Sequence, residues 1–125
     1  MRKKASKKKK VSEKSVETII LKYLSILPAT FAWKNNSTGI FDPKRGVFRK
    51  SKNQYAINGV SDILGIHNGR LLAIEVKAPD DKKGASEDQQ KFIDRVIKEG
   101  GIAGVARSVA DVRQILAKAD SEGGV

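Results

Sequence analysis

The 125-residue chain has no cysteine and a single histidine, His67. Without cysteine, neither a disulfide framework nor a Cys-ligated zinc site can form. One histidine excludes a multi-histidine metal centre and argues against a Ser-His-Asp triad. No apolar run approaches the roughly 18 residues of a membrane-spanning helix. The basic start is followed by Val11-Ser12-Glu13-Lys14 rather than by an apolar stretch, which is unlike a secretory signal. A soluble, cytoplasmic protein with no membrane partner is expected. The length suits one domain with one core.

What the chain has in excess is positive charge, +11 in total. Residues 1–10 carry seven of the 25 Lys and Arg and no acid, which leaves 18 basic against 14 acidic residues, or +4, in the remainder. A basic tail of this kind contacts polyanions without sequence preference, or serves as a localisation signal or a solubilising extension. We expect a disordered basic tail over 1–11, a folded domain over 12–119 and a flexible C-terminus over 120–125.

Along the chain, Ser12 can cap a helix running to about Leu27. Val16, Ile19, Ile20, Tyr23, Leu24 and Leu27 form its apolar stripe, and Pro28 stops it. Thr30 to Lys34 reads as a short strand. Residues 40–57 interleave Lys44, Arg45, Arg49, Lys50 and Lys52 with Phe41, Phe48 and Tyr55, and read as a loop or irregular hairpin with a strand near 46–50. Strands over about 60–67 and 70–77 follow. Both their faces are apolar, so coverage on both sides is expected. Ser86 caps a helix to about Glu99 with Phe92, Ile93, Val96 and Ile97 inward. Ile102 to Ala106 is a strand, and Ser108 with Asp111 opens a last helix to about Ala119. The order α-β-β-β-β-α-β-α gives an α/β sandwich around a mixed sheet.

The chemistry gathers on the hairpin. Asn68-Gly69 is a strong signal for a two-residue type I′ turn. With that turn at the tip, His67 faces Arg70, Ile66 faces Leu71, Leu64 faces Ala73, and Asp62 faces Glu75. Opposed residues have Cβ atoms roughly 4.5–5.5 Å apart, and opposed like charges destabilise a sheet. A divalent cation offsets that repulsion, since Mg²⁺ is typically held by one or two carboxylates with phosphates and water. Lys77 lies two residues beyond Glu75 and shares its face.

Plainer readings exist for each residue. Asp62 can be an ordinary Asp at the start of a strand, and Glu75 with Lys77 a structural ion pair, although one lysine does not neutralise two acids. Glu17, and Glu13 one turn earlier, can be solvated helix charges. Gln89 stands three residues after Ser86, as in a capping box. His67 reads as structural or exposed.

Asp62, a spacer, then Glu75-Val76-Lys77 between flanking helices resembles the PD-(D/E)XK nuclease superfamily. More specifically, the chain resembles the virus-type replication-repair nuclease (VRR-NUC) family in its stand-alone viral or phage-like form. The likeness runs from about residue 13 to 116. It takes in Glu17, Trp33-Lys34-Asn35-Asn36-Ser37-x-Gly39, Gly59-x-Ser61-Asp62, Ile74-Glu75-Val76-Lys77, Gln89-x-x-Phe92, Gly100-Gly101 and Ala106-Arg107-Ser108-x-x-Asp111-Val112. Ser61 stands where many members have Pro, and Lys34 where Arg is common.

The resemblance implies a restriction-endonuclease-like α/β/α sandwich and metal-dependent hydrolysis of DNA phosphodiester bonds. Asp62, Glu75 and the Val76 carbonyl would hold Mg²⁺ or Mn²⁺, with Glu17 as a further acid. Lys77 would orient or help deprotonate the nucleophile, and Gln89 would position Lys77 or a metal-bound water. Lys34, Asn36, Lys44, Arg45, Arg49, Lys50 and Lys52 would contact the nucleic acid. Branched DNA, such as a four-way (Holliday) junction, cut by a homodimer is the preferred substrate. Flap or duplex DNA, an inactive DNA-binding accessory and a basic RNA-binding module are the alternatives. No small-molecule cofactor is expected.

Overall fold

The structure, a computed structural model, describes residues 11–36, 40–49 and 54–123. The elements run α1 (Glu13–Ser25), β1 (Thr30–Lys34), β2 (Ile40–Asp42), β3 (Val47–Arg49), β4 (Ile63–His67), β5 (Arg70–Val76), α2 (Glu87–Lys98), β6 (Ile102–Ala106) and α3 (Val109–Gly123). A four-stranded sheet has the order β1-β4-β5-β6, with β5 and β6 parallel and the other pairs antiparallel. The expected irregular hairpin in 40–57 takes the form of β2 paired with β3, a two-stranded sheet of its own. Among the described residues, no helix is long and apolar enough to cross a membrane.

The tip of the β4–β5 hairpin sets the register of the central sheet. Asn68 has φ 50° and Gly69 φ 77°, the left-handed pair a type I′ turn requires. His67 then pairs with Arg70, Ile66 with Leu71 and Leu64 with Ala73. Three ties hold this end in place. Thr30 Oγ1 meets His67 Nδ1 at 2.8 Å, and Asp120 meets His67 Nε2 at 3.2 Å. Arg70 donates to the Gly100 and Ala119 carbonyls at the ends of α2 and α3, where cations suit the helix dipole. His67 is therefore buried and structural. Helix α3 continues past the expected end at Ala119 to Gly123, so residues 120–123 belong to a helix anchored through Asp120.

Helices α1 and α3 cover one face of the sheet. Val16, Ile20 and Leu24 of α1 and Val112 and Leu116 of α3 enclose Ile63, Leu72, Ile74 and Val76. Ile19, expected in the α1 stripe, is 52% exposed, while Glu17 is buried in its place. The second face carries α2, which packs Ile93 and Val96 against β5 and β6. This face is only partly covered. Ile66 and Leu71 are both 45% exposed, and Ile97, expected inward, faces water. One helix is too narrow to roof four strands, so among the described residues the outer strand β1 and its neighbour β4 stay open on that side.

Ser61 is fully buried, and its hydroxyl has no hydrogen-bond partner. An unmet buried hydroxyl costs on the order of 1–3 kcal/mol. Ser61→Ala should therefore raise the melting temperature. A lower melting temperature, with the fold retained, would mean that the hydroxyl is satisfied in solution.

Candidate active site at the end of the hairpin

The β4–β5 ladder ends at Ile63–Ile74. One step further, Asp62 leaves main-chain pairing with β5, and its side chain takes over: Oδ2 accepts the Val76 N–H at 2.8 Å. The Asp62 carbonyl accepts from Asn35 N at 2.7 Å, which joins the end of β1 to the same point. Asp62 thus sits between two strand ends with its carboxylate aimed at β5. Glu75, at the facing position on β5, is 2% exposed.

Lys77 and Gln89 complete the group. Gln89 Nε2 donates to Glu75 Oε1 at 2.9 Å, and Gln89 Oε1 accepts from Lys77 Nζ at 3.3 Å. The same Oε1 accepts from Ser86 N at 2.8 Å, while Ser86 Oγ caps Gln89 N. The capping box and the contact with the acids therefore coexist in one side chain. Three partners fix which end of the amide is oxygen. The start of α2 is positioned by close packing: a Cβ at Gly59, which has φ 77°, would lie 2.3 Å from the Asp88 carbonyl carbon. Only glycine lets the loop before Asp62 lie on α2 this tightly.

Burial raises the Glu75 carboxyl to about 8. Asp62 adds to the rise through hydrogen bonding and charge, Lys77 opposes it, and Glu13 adds a smaller push. Glu75 Oε2 has no partner beyond that acid–acid contact. Two carboxyls this close repel each other unless a proton or a cation lies between them. A cation fits the donor set, with two carboxyls, one of them with an unsatisfied oxygen. Among the described residues, no three His, Asp or Glu side chains form a ready cage.

The expected third acid, Glu17, is buried and pairs with Lys34 at 3.2 Å. Both line a cleft of about 400 Å³ together with Glu13, Asn36 and Asp62. The Lys34 side chain pairs with Glu17 yet stays 56% exposed, and Asn36 lines the same cleft as Asp62. Sequence reasoning undervalued Glu13. Its carboxyl is held above the ordinary range, first by loss of water and then by Asp62, with Glu17 and Asp81 adding and Lys77 opposing. Its position one helical turn before Glu17 was the available signal. Lys44 and Arg45 lie exposed in the turn between β2 and β3. Lys50, Lys52 and the side chain of Arg49 lie outside the described residues.

A carboxyl with a raised value in the fold keeps a proton that the unfolded chain has already lost. The metal-free protein should therefore lose stability as pH rises from about 4.5 to about 8, by about 1.4 kcal/mol per pH unit for one such group. Glu75→Gln should remove this slope, leaving a weaker trend of the same sign from Glu13. Melting curves in EDTA across that range test it. Parallel profiles for the two proteins would show that Glu75 titrates normally.

The VRR-NUC domain family matches residues 33–110 of the chain, which includes Asp62, Glu75, Lys77 and Gln89. A solved structure described as a VRR_NUC domain protein aligns over 90% of this chain and 91% of its own, with 21% identity and a TM-score of 0.61, and so shares the fold. No curated protein matches. With more than half of its length matched and the sandwich architecture in place, the chain belongs to the VRR-NUC nuclease family.

Proposed function

We propose that the chain is a divalent-metal-dependent endodeoxyribonuclease of the PD-(D/E)XK type. Its preferred substrate is branched DNA, four-way junctions in particular, cut by a homodimer. The observation that carries this reading is the half-buried Asp62 facing the buried Glu75, with an unsatisfied oxygen on Glu75 and a lysine tied to it through Gln89. Asp62, Glu75 and the backbone carbonyl of Val76 would hold Mg²⁺ or Mn²⁺. When bound, the ion supplies Lewis-acid stabilisation of the phosphoryl oxygens and acidifies water.

The chain's own groups do the remaining work. Lys77 orients the attacking water and neutralises charge that builds on the phosphate. Gln89 holds the lysine amine beside Glu75, so that the amine does not wander into solvent. Glu13 and Glu17 stand in the cleft next to Asp62, available to support the metal shell or a second ion. Lys34 and Asn36 line the same cleft and would take the DNA backbone, which positions a substrate without reading its sequence. Lys44, Arg45, Arg49, Lys50 and Lys52 would extend that contact.

The branched substrate and the homodimer follow from size and symmetry. A domain of 125 residues offers little surface for gripping DNA, and two sites related by a two-fold axis suit the paired strands of a four-way junction. A labelled junction, a flap and a linear duplex incubated with Mg²⁺, Mn²⁺ or EDTA test the reading. Paired cuts in the junction are expected, lost in EDTA and reduced at least about a hundredfold in Lys77→Ala, while that variant still binds DNA. Cutting of flap or duplex would discard the junction preference. Tight binding with no cutting would favour an inactive accessory protein.

A further inference from the structure

The open side of the sheet carries an aromatic pair that the cleavage chemistry does not use. Phe31 is 68% exposed and Trp33 41% exposed. Their ring centroids are 5.3 Å apart, tilted by 48°. Exposed aromatics grouped with Ile66 and Leu71 form a contiguous apolar patch, and such a patch marks a binding surface.

Its location is informative. Trp33 pairs with Leu64, and Leu64 with Ala73. Side chains two apart on a strand share a face. Ala73, Glu75 and Lys77 therefore point to the same side as Trp33, and so does Asp62 on the neighbouring strand. Trp33 lies one side-chain step, about 6.7 Å, from the row of Asn35, Asp62 and Glu75. Phe31 lies a further step away. One nucleotide of an extended single strand can bridge such a step.

We propose that Trp33, with Phe31 behind it, is a stacking platform for an unpaired nucleobase next to the scissile phosphate, and that it selects DNA whose bases are unstacked at the cut. The proposal rests on the nuclease reading above. Aromatic faces accept any base, because every base has a π-face, and they work beside basic surfaces that track the backbone. A chain of net charge +11 attracts that backbone. A second copy is the poorer occupant. Four partly exposed side chains fall well short of the ~800 Å² per partner of a standard protein interface.

Trp33 is the only tryptophan in the chain, so its fluorescence reports on this position alone. Lys77→Ala protein would be titrated with a four-way junction, a flap and a blunt duplex, with binding followed separately through labelled DNA. Quenching by the junction or flap, and much less by the fully bound duplex, is expected. In otherwise wild-type protein, Trp33→Ala should lower kcat/KM on the branched substrate about tenfold, and Trp33→Phe should recover most of it. Cleavage by the wild type with no quenching of bound DNA would overturn the platform and leave the nuclease reading standing. Quenching without any cleavage would overturn the nuclease reading, and with it the selection of a cut site. Conversion of a dimer to a monomer by Trp33→Ala would assign the patch to a second copy and overturn the proposal.

Discussion

Two carboxyls of like charge meet at the end of the β4–β5 hairpin, and the surrounding structure is arranged to make them tolerable. Asp62 gives up main-chain pairing with β5, and its carboxylate accepts the Val76 N–H instead. Glu75 lies almost fully buried beside it and accepts a hydrogen bond from Gln89. Burial and the neighbouring acid push its proton affinity up to about 8. A fold selected only for stability would replace one acid with an apolar or amide side chain. Keeping both is a cost, and a site that binds a cation offers an offset.

The rest of the molecule holds that pair in place. The hairpin is pinned at its far end by His67, Thr30 and Asp120, and by Arg70 on the ends of α2 and α3. Gly59 lets the preceding loop press on the start of α2, where Gln89 spans the helix cap, the lysine and the acid. Rigid elements on both sides thus fix the distances among Asp62, Glu75 and Lys77. The open aromatic face lies outside this frame.

Much of this arrangement was legible in the sequence. Asn68-Gly69 dictates a turn with two left-handed residues, and from that alone the pairing of Leu64 with Ala73 follows. What escaped depends on layers that periodicity does not encode. Ile19 and Ile97 fit apolar stripes, yet they face water because, among the described residues, no element covers them. Glu17 turns inward and pairs with Lys34, while Glu13 is raised first by loss of water and then by Asp62, a difference set by where α1 crosses the sheet. Gln89 invited two competing readings from its spacing. Both hold, because an amide has a donor end and an acceptor end.

Calorimetric titration of the wild type and Glu75→Gln with Mn²⁺ and Mg²⁺, without DNA, tests the central claim most directly. The account predicts a binding heat for the wild type that is lost or greatly weakened in a Glu75→Gln protein that is still folded. Equal binding by the two proteins would contradict it, because the cation would then sit elsewhere and the buried acids would need another explanation.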